Sequence, residues 1–212
     1  MKVAGGRVED GIVIGNTFDK YGSRNPIVHR IMRGFDDALC GLVAKAAPGS
    51  IHEVGCGEGY WVSRWLEAGI DARGTDFSAQ VIAMARGNAR ASGFDERRFE
   101  VRSIYDVTPE RDSAGLIVCC EVMEHLNDPE GAMRALQEIV TQDLIISVPR
   151  EPLWRLLNMV RGKYLTHFGN TPGHLQHWSK RSIVALAARY FDVVEIRSPI
   201  PWTMLHCKKL AT

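Results

Sequence analysis

A glycine-rich segment is the first part of the sequence whose residue types and spacing indicate chemistry. His52-Glu53-Val54-Gly55-Cys56-Gly57-Glu58-Gly59 follows a predicted strand and precedes a predicted helix. Glycines in such a turn permit positive φ and let a ligand approach the backbone, while the first turn of the helix supplies free N–H donors. Tyr60 stands where a dinucleotide fingerprint requires glycine. Residues 55–59, called the glycine loop below, therefore predict a ligand site of another kind.

An acidic residue ends the next predicted strand, in Gly74-Thr75-Asp76-Phe77-Ser78. A carboxylate at this position can accept hydrogen bonds from both hydroxyls of a ribose. Phe77 stands where it can lie beside a flat adenine ring. A carboxylate here also commonly caps the following helix. With the glycine loop one unit earlier, we interpret Asp76 as a nucleoside ligand and keep helix capping as the alternative.

The segment 121–126 follows the fourth predicted strand and contains Glu-Val-Met-Glu-His-Leu. His125 is the first candidate for a general base, with a capping or cofactor-supporting histidine as the alternative. His177 is the second candidate base. Glu121, Glu124 and His125 share one helical face by their spacing. With His174 or His177 they form an alternative divalent-metal site, although such clusters often hold no ion, and we predict none.

Apolar strands and helices alternate along the chain, as in βαβ units of a parallel sheet. Only residues 198–201 separate the last two strands, so this pair is predicted to be antiparallel. We expect a doubly wound, Rossmann-like α/β fold with a mostly parallel seven-stranded sheet. Residues 1–20 are predicted to be irregular. The predicted strands are 50–54, 70–75, 99–103, 116–120, 144–148, 192–197 and 202–208, and the predicted helices are 27–47, 60–68, 78–91, 128–140 and 179–190.

Residues 149–178 interrupt this alternation after the fifth strand and are called the insertion. They predict an amphipathic helix followed by a loop, which together cap a substrate pocket. The apolar stripe of the helix is expected to be buried, with Arg155 and Asn158 on the opposite, solvated face. The alternative is that basic residues among apolar ones dock on a membrane or on an isoprenoid substrate. The stripe is Leu153, Leu156, Leu157 and Val160, and the basic residues are Arg150, Arg155, Arg161 and Lys163.

Composition narrows the function classes. The 212 residues contain 26 Lys+Arg and 25 Asp+Glu, a net charge of +1, which disfavours a nucleic-acid binder. No apolar run approaches the roughly 20 residues of a membrane span, and no secretory signal is visible. Five cysteines without a CxxC pair indicate neither a disulfide framework nor a zinc site. We expect one cytoplasmic domain over residues 1–212.

These motifs together resemble those of the class I S-adenosylmethionine-dependent methyltransferases, from about Tyr21 to the terminal hairpin. The resemblance implies an antiparallel last strand and S-adenosylmethionine as cofactor, released as S-adenosylhomocysteine. Ser103 stands where this family often has an acid, so Asp106 or a backbone group is the alternative adenine contact. The cofactor-binding residues that the resemblance implies are Tyr21, Glu53, Gly55, Cys56, Gly57, Asp76, Phe77, Ser78, Ser103, Ile104, Glu121 and Val122.

The expected reaction is methyl transfer to a small-molecule acceptor, at a hydroxyl oxygen of a sugar, a phenol or quinone precursor, or a natural-product intermediate. A metal-assisted RNA 2′-O-methyltransferase is the second hypothesis, against which the near-neutral charge argues. A non-catalytic S-adenosylmethionine-binding protein is the third. The expected partner is the small-molecule acceptor rather than a nucleic acid, and a homodimer stays open.

Overall fold

The computed structural model describes residues 1–9, 12–16, 18–162 and 164–210, and it confirms the predicted fold class. A seven-stranded sheet has the order β5-β4-β3-β6-β7-β9-β8, numbered along the chain as given at the end of this paragraph. The strands β3 to β7 are parallel, whereas β9 runs antiparallel to both of its neighbours. The strands are β1 (Val8–Glu9), β2 (Ile12–Val13), β3 (Ser50–Val54), β4 (Asp71–Asp76), β5 (Phe99–Val101), β6 (Ala114–Cys120), β7 (Val140–Pro149), β8 (Phe191–Arg197) and β9 (Trp202–Lys209).

Several helices begin at side-chain caps that the local sequence supplies. Asn25 accepts hydrogen bonds from the N–H groups of Ile27 and Val28, Ser78 accepts one from Val81, and Ser179 forms a capping box with Ser182. The predicted helices are confirmed, with bounds shifted by no more than three residues. The helices are α1 (Pro26–Ala46), α2 (Tyr60–Glu67), α3 (Ala79–Ala91), α4 (Pro109–Asp112), α5 (Pro129–Ile139), α6 (Leu153–Val160) and α7 (Lys180–Ala187).

The central strand β6 shows how both faces of the sheet are covered. Leu116 and Val118 pack in one apolar cluster with α1, α2 and α3. Ile117 and Cys119, which alternate with them, pack in a second cluster with α5 and α7. Side chains alternate across a strand, so a sheet buried on both faces needs the continuous apolar run that β6 has.

The prediction that residues 1–20 are irregular is wrong in part, because β1 and β2 form a short antiparallel hairpin. The buried Glu58 holds this segment against the glycine loop. One carboxylate oxygen of Glu58 accepts from the N–H groups of Ala4 at 2.9 Å and Asn16 at 2.7 Å. Ile14 packs with Ala4 and Val81 of α3. The N-terminal segment thus lies on the same side of the fold as the glycine loop and α3.

The insertion contains the predicted helix α6, but the prediction of its buried face is wrong in part, since Leu153 and Leu157 are half-buried and the rest of the stripe is exposed. Leu156 and Val160 are 53% and 77% exposed, whereas Asn158 is only 5% exposed. The side chain of Asn158 donates to the carbonyl of Gly169 at 2.9 Å and to the hydroxyl of Thr171 at 3.1 Å. A polar loop therefore lies under Asn158, while Trp154 of the same helix packs against the core. Lys163 lies outside the described residues.

Candidate active site

The candidate site lies at the carboxyl edge of the sheet, where β4, β3 and β6 are neighbours. Ligands of open α/β sheets bind outside the carboxyl ends of their strands. β3 ends at Val54 and leads into the glycine loop, β4 ends at Asp76, and Glu121 directly follows β6. The register of parallel strands thus brings together residues that are far apart in sequence.

Asp76 is tied to the glycine loop by its backbone. One carboxylate oxygen accepts from the N–H of Gly57 and the other from that of Ser78, both at 3.0 Å. Burial raises the pKa of Asp76, and these two donors oppose the shift. Ser78, whose hydroxyl accepts from Val81 at 3.1 Å, is the side chain that caps α3. A carboxylate offers about four acceptor sites, so Asp76 retains about two for a ligand.

The glycine loop leaves room for a ligand above its backbone. Gly57 has φ +54°, and a Cβ atom at this position would meet nothing within 4 Å. At Gly55, with φ +79°, a Cβ would come within 2.2 Å of a Val122 methyl carbon. Gly74 in β4 likewise leaves space for Cys56, whose Cβ would lie at 2.6 Å from an added Cβ. Small residues here keep the loop, β4 and the segment after β6 in close contact.

Glu53 is a buried carboxylic acid beneath this loop, only 3% exposed. Among the described residues, its Oε2 has no hydrogen-bond partner. Burial raises the pKa of Glu53 well above its usual value, and the charge of Asp76 raises it further. Tyr21 lies close to it, and its ring stacks on that of Tyr60 with centroids 3.6 Å apart. The unpartnered oxygen of Glu53 is suited to a cationic or hydrogen-donating ligand group.

The residues predicted to flank an adenine surround the end of β5. Phe77 is 39% exposed, and Ile104 is 6% exposed. The hydroxyl of Ser103 accepts from the N–H of Tyr105 at 3.3 Å, so its oxygen is already engaged with its own turn. Asp106 is exposed one residue further on.

Glu121 adopts an unusual backbone conformation, with φ +60°. Trp202 Nε1 donates to its Oε2 at 2.6 Å, and the hydroxyl of Ser147 donates to its Oε1 at 3.2 Å. Burial raises the pKa of Glu121, while the nearby charge of Lys20 and these two donors oppose the shift. Such a non-glycine conformation costs of order 1–3 kcal/mol and persists where surrounding contacts fix it.

His125 lies beside Glu124 and His174, whose side chains could bind a metal ion or accept a proton. The donor atoms of Glu124, His125 and His174 lie within 4.8 Å of one another. His125 Nδ1 makes a 2.8 Å hydrogen bond with the carbonyl of Gly173, so the neutral ring donates from Nδ1 and keeps the Nε2 lone pair. Burial lowers the pKa of His125, and burial with neighbouring histidine charges lowers that of His174 to about 3. Both rings are therefore neutral at pH 7.

Backbone bonds bring His174 from the insertion to His125. The N–H groups of Leu175 and Gln176 both donate to the carbonyl of Glu124, at 2.8 and 2.9 Å. The Glu124 side chain is 1% exposed, and within the described residues its Oε2 has no partner. Burial and the charge of Glu121 raise the pKa of Glu124 well above its usual value.

Two predicted site residues lie apart from this cluster. The Glu121 carboxylate is directed to Trp202 and Ser147, which corrects the alternative four-residue metal set. His177 is exposed, and its Nε2 bonds with the side-chain oxygen of Asn170 at 2.9 Å. Sequence reasoning missed Trp202, whose only local signal is its place at the start of the last strand.

A row of aromatic rings leads from α1 to the histidine pair. Phe35 meets Trp202 at 5.0 Å between centroids, and Trp202 meets Trp154 of the insertion at 6.0 Å. Trp154 stacks on His174 at 5.9 Å, and His174 meets His125 edge-on at 5.0 Å. The insertion thus brings Trp154 and His174 next to His125 and Trp202.

Comparison with known proteins gives consistent matches. The family model described as a methyltransferase domain matches residues 28–196. The chain is 28% identical over 170 residues to the ubiquinone biosynthesis O-methyltransferase of Neisseria meningitidis serogroup A, covering 78% of this chain and 67% of that protein. It is 27% identical over 107 residues to the enzyme of the same name from Cupriavidus pinatubonensis, covering 50% and 41% respectively. The chain thus spans between two fifths and two thirds of these relatives' lengths.

Solved structures with a similar fold include two methyltransferases. One is magnesium protoporphyrin IX methyltransferase from Synechocystis PCC 6803 with bound S-adenosylhomocysteine, with TM-score 0.68, 17% identity, and coverage of 92% of this chain and 94% of that one. The other is an O-methyltransferase from neocarzinostatin biosynthesis with bound S-adenosylmethionine and a hydroxynaphthoic acid. Its TM-score is 0.60 at 21% identity, with coverage of 87% of this chain and 57% of that one. At sequence identities this low, the structural similarity supports the fold alone.

Proposed function

The chain belongs to the methyltransferase domain family, and we propose that it transfers a methyl group from S-adenosylmethionine to a hydroxyl oxygen of a small molecule. One observation carries this proposal. The carboxylates suited to the cofactor and a neutral histidine suited to deprotonate an acceptor lie at the same edge of the sheet. The curated relatives named O-methyltransferases support oxygen as the acceptor atom.

The residues present fit S-adenosylmethionine. Asp76 has acceptor sites left for the two ribose hydroxyls, because each of its oxygens accepts only one backbone N–H. The unpartnered Oε2 of Glu53 is suited to the ammonium of the methionine part. Gly57 leaves open space over the loop. When bound, this cofactor supplies a methyl group already activated on a sulfonium, so the protein's main task is alignment, which contributes about 7–11 kcal/mol.

His125 is the proposed general base. Its Nδ1–H is held by the Gly173 carbonyl, which fixes the ring and leaves Nε2 free to take the proton of an acceptor hydroxyl. Burial lowers the pKa of His125, so the base is in its unprotonated form at neutral pH. General-base catalysis of this kind contributes about 10²–10⁴-fold in rate. His177, which is exposed, is not assigned this role.

A phenol is the acceptor class that the site supports best. At the outer end of the ring row, the half-buried Trp154 and His174 offer ring surface to an aromatic acceptor, while Phe35 and Trp202 are buried behind them. Aromatic pairs in such geometries contribute about 0.5–1.5 kcal/mol beyond the burial of their area. The ring row ends at His125, so a phenol stacked along it would bring its hydroxyl towards the proposed base.

A divalent cation is a second candidate occupant of the Glu124, His125 and His174 cluster. The unpartnered Oε2 of Glu124 and the Nε2 lone pair of His125 suit a site with three protein ligands. A cation would supply Lewis-acid polarisation of the acceptor hydroxyl. Metal analysis and titration with Mg²⁺ or Zn²⁺ test this, with His174→Ala as the variant that should lose the ion. Unchanged activity in a chelator would leave His125 as the base alone.

Calorimetry with S-adenosylmethionine tests the proposed cofactor. Wild type should bind, and Asp76→Ala should weaken binding at least about 10²-fold, since hydrogen bonds to a charged group contribute about 1.5–3 kcal/mol each. Asp192→Ala, an exposed carboxylate on β8, is the matched control and should bind as wild type does. Absence of binding by wild type would contradict the proposal. Binding without methyl transfer to any of a panel of catechols, other phenols and sugars would favour the non-catalytic alternative.

A further inference from the structure

The insertion carries an exposed apolar surface that the proposed reaction does not use. Five large apolar side chains are exposed within a stretch of thirteen residues. Val160 and Phe168 are the most exposed, at 77% and 74%. Scattered exposed apolar residues are ordinary, whereas a concentration of them indicates a contact surface. This apolar patch consists of Leu156, Met159, Val160, Leu165 and Phe168.

The orientation of α6 is fixed by polar contacts on its other side. Asn158 is buried and donates to Gly169 and Thr171, and Trp154 Nε1 also donates to the Thr171 hydroxyl at 2.9 Å. Arg155 Nε donates to the carbonyl of Phe168 at 3.0 Å, which holds the Phe168 turn beside the helix. Rolling α6 to bury Val160 would break the buried amide contacts of Asn158 and leave their polar groups without partners. These polar contacts therefore keep the apolar face of α6 directed outward.

The stretch of sequence that carries the apolar patch is cationic, with Glu151 directly before it and one of its cations, Arg189, paired with Glu130. Residues 152–191 contain six Lys+Arg and no Asp or Glu, whereas the rest of the chain contains 20 Lys+Arg and 25 Asp+Glu. Arg161, directly after α6, is exposed next to Val160. The overall charge of +1 thus conceals a cationic segment on an otherwise acidic chain. An anionic partner surface is complementary to this segment.

We propose that the apolar patch docks on an anionic lipid bilayer, with Val160 and Phe168 entering the interface and Arg161 contacting lipid headgroups. A helix with apolar and cationic residues on its outer side binds such an interface by apolar burial together with electrostatic attraction. Charge disfavours a second copy of the chain as the occupant, because two such cationic surfaces would face each other. The same insertion supplies Trp154 and His174 to the candidate active site, so docking would place the acceptor pocket next to the membrane.

Vesicle co-sedimentation of the full chain without cofactor tests this proposal. We expect binding to phosphatidylcholine vesicles with about one third phosphatidylglycerol, weaker binding to phosphatidylcholine alone, and release as salt rises from about 0.1 M to about 0.5 M. The double variant Val160→Asp/Phe168→Asp should bind at least tenfold more weakly, and Arg161→Glu should lose the preference for anionic vesicles. Val194→Asp, 44% exposed on β8, and Arg33→Glu on α1 are the controls.

The outcomes separate this proposal from its rivals. Failure of wild type to bind anionic vesicles, or equal binding by the double variant, would overturn it. A concentration-dependent dimer that the double variant converts to a monomer would assign the surface to a second copy instead. Cofactor affinity measured on the same samples reports whether the variants are folded. Because vesicle binding is measured without cofactor, its result is independent of whether methyl transfer occurs.

Discussion

The two halves of the candidate site are positioned by different kinds of contact. On the cofactor side, adjacent parallel strands and backbone N–H groups set the places of Glu53, Asp76 and the glycine loop. On the acceptor side, His174 and Trp154 come from an insertion held by side chains and by a few loop bonds, such as those from Leu175 and Gln176 to the Glu124 carbonyl. The cofactor side is formed by the ends of core strands, whereas the acceptor side includes an insertion that packs against that core.

This difference implies separable functions. A change in the insertion should alter acceptor turnover and leave cofactor binding in place, because none of the cofactor-side hydrogen bonds involves residues 149–178 among the described residues. A change beneath the glycine loop should act on the cofactor first. The residues between the halves, His125 and Glu121, are expected to affect the reaction most.

The largest expected effect is that of His125→Asn. Removing the proposed base should lower kcat by about 10²–10⁴-fold. Because the imidazole is bonded to Gly173 rather than to a cofactor-side residue, the dissociation constant for S-adenosylmethionine should change less than about threefold. Single-turnover kinetics with a phenol acceptor and calorimetry with the cofactor measure the two quantities. His177→Asn, which changes an exposed histidine of the insertion, is the control. A loss of kcat in this variant as large as in His125→Asn would contradict the assignment.

Sequence spacing predicted the strand ends better than the insertion, for a physical reason. Asp76 is the last residue of β4 and Glu121 directly follows β6, and a strand fixes the place of its end. Trp202 reaches Glu121 across 81 positions of sequence, and Asn158 is buried because a loop eleven residues later needs its amide. No local pattern encodes such partners. The apolar stripe of α6 was assigned to the core because helical periodicity identifies an apolar face without identifying what covers it.

Trp202→Phe tests the junction between the two halves. Phenylalanine keeps the ring contact with Phe35 but removes the N–H that Glu121 Oε2 accepts at 2.6 Å. A buried acceptor left without its donor costs about 1–3 kcal/mol. We expect that loss in the free energy of unfolding from urea denaturation, together with a lower kcat. Trp65→Phe, another buried tryptophan in an aromatic contact, controls for ring size. Equal losses in the two variants would reduce Trp202 to a packing role.

Glu53→Gln should separate stability from cofactor binding on the cofactor side. Burial raises the pKa of Glu53 above its unfolded value, so its contribution to folding is complete below about pH 4.5 and is lost as pH rises through the folded-state pKa. Glutamine does not titrate, and its oxygen can still accept from the Val62 N–H. Without cofactor, the free energy of unfolding of Glu53→Gln should therefore be higher than that of wild type at pH 8 and equal to it near pH 4.

The same carboxyl should make cofactor affinity depend on pH. An ammonium group beside Glu53 favours its ionised form, so binding releases a proton wherever the free protein holds one. Affinity of wild type should fall as pH decreases through the free-state pKa of Glu53, by at most about tenfold per pH unit. Glu53→Gln should bind more weakly and lose this dependence. Calorimetry in buffers of different ionisation enthalpy measures the proton, and an unchanged affinity in the variant would contradict the assigned role.

The smallest global effect is expected from Asn158→Ala, which loosens the insertion alone. The variant removes the two hydrogen bonds to Gly169 and Thr171, so the Gly169 carbonyl loses its side-chain donor, whereas the Thr171 hydroxyl keeps the donor from Trp154. About 1–2 kcal/mol is lost locally, which should appear as faster hydrogen exchange in residues 153–175 rather than as a shift of the urea midpoint. Acceptor KM should rise while cofactor affinity stays constant, since Trp154 shares the Thr171 partner. An equal loss of global stability would show instead that the insertion folds as one unit with the sheet.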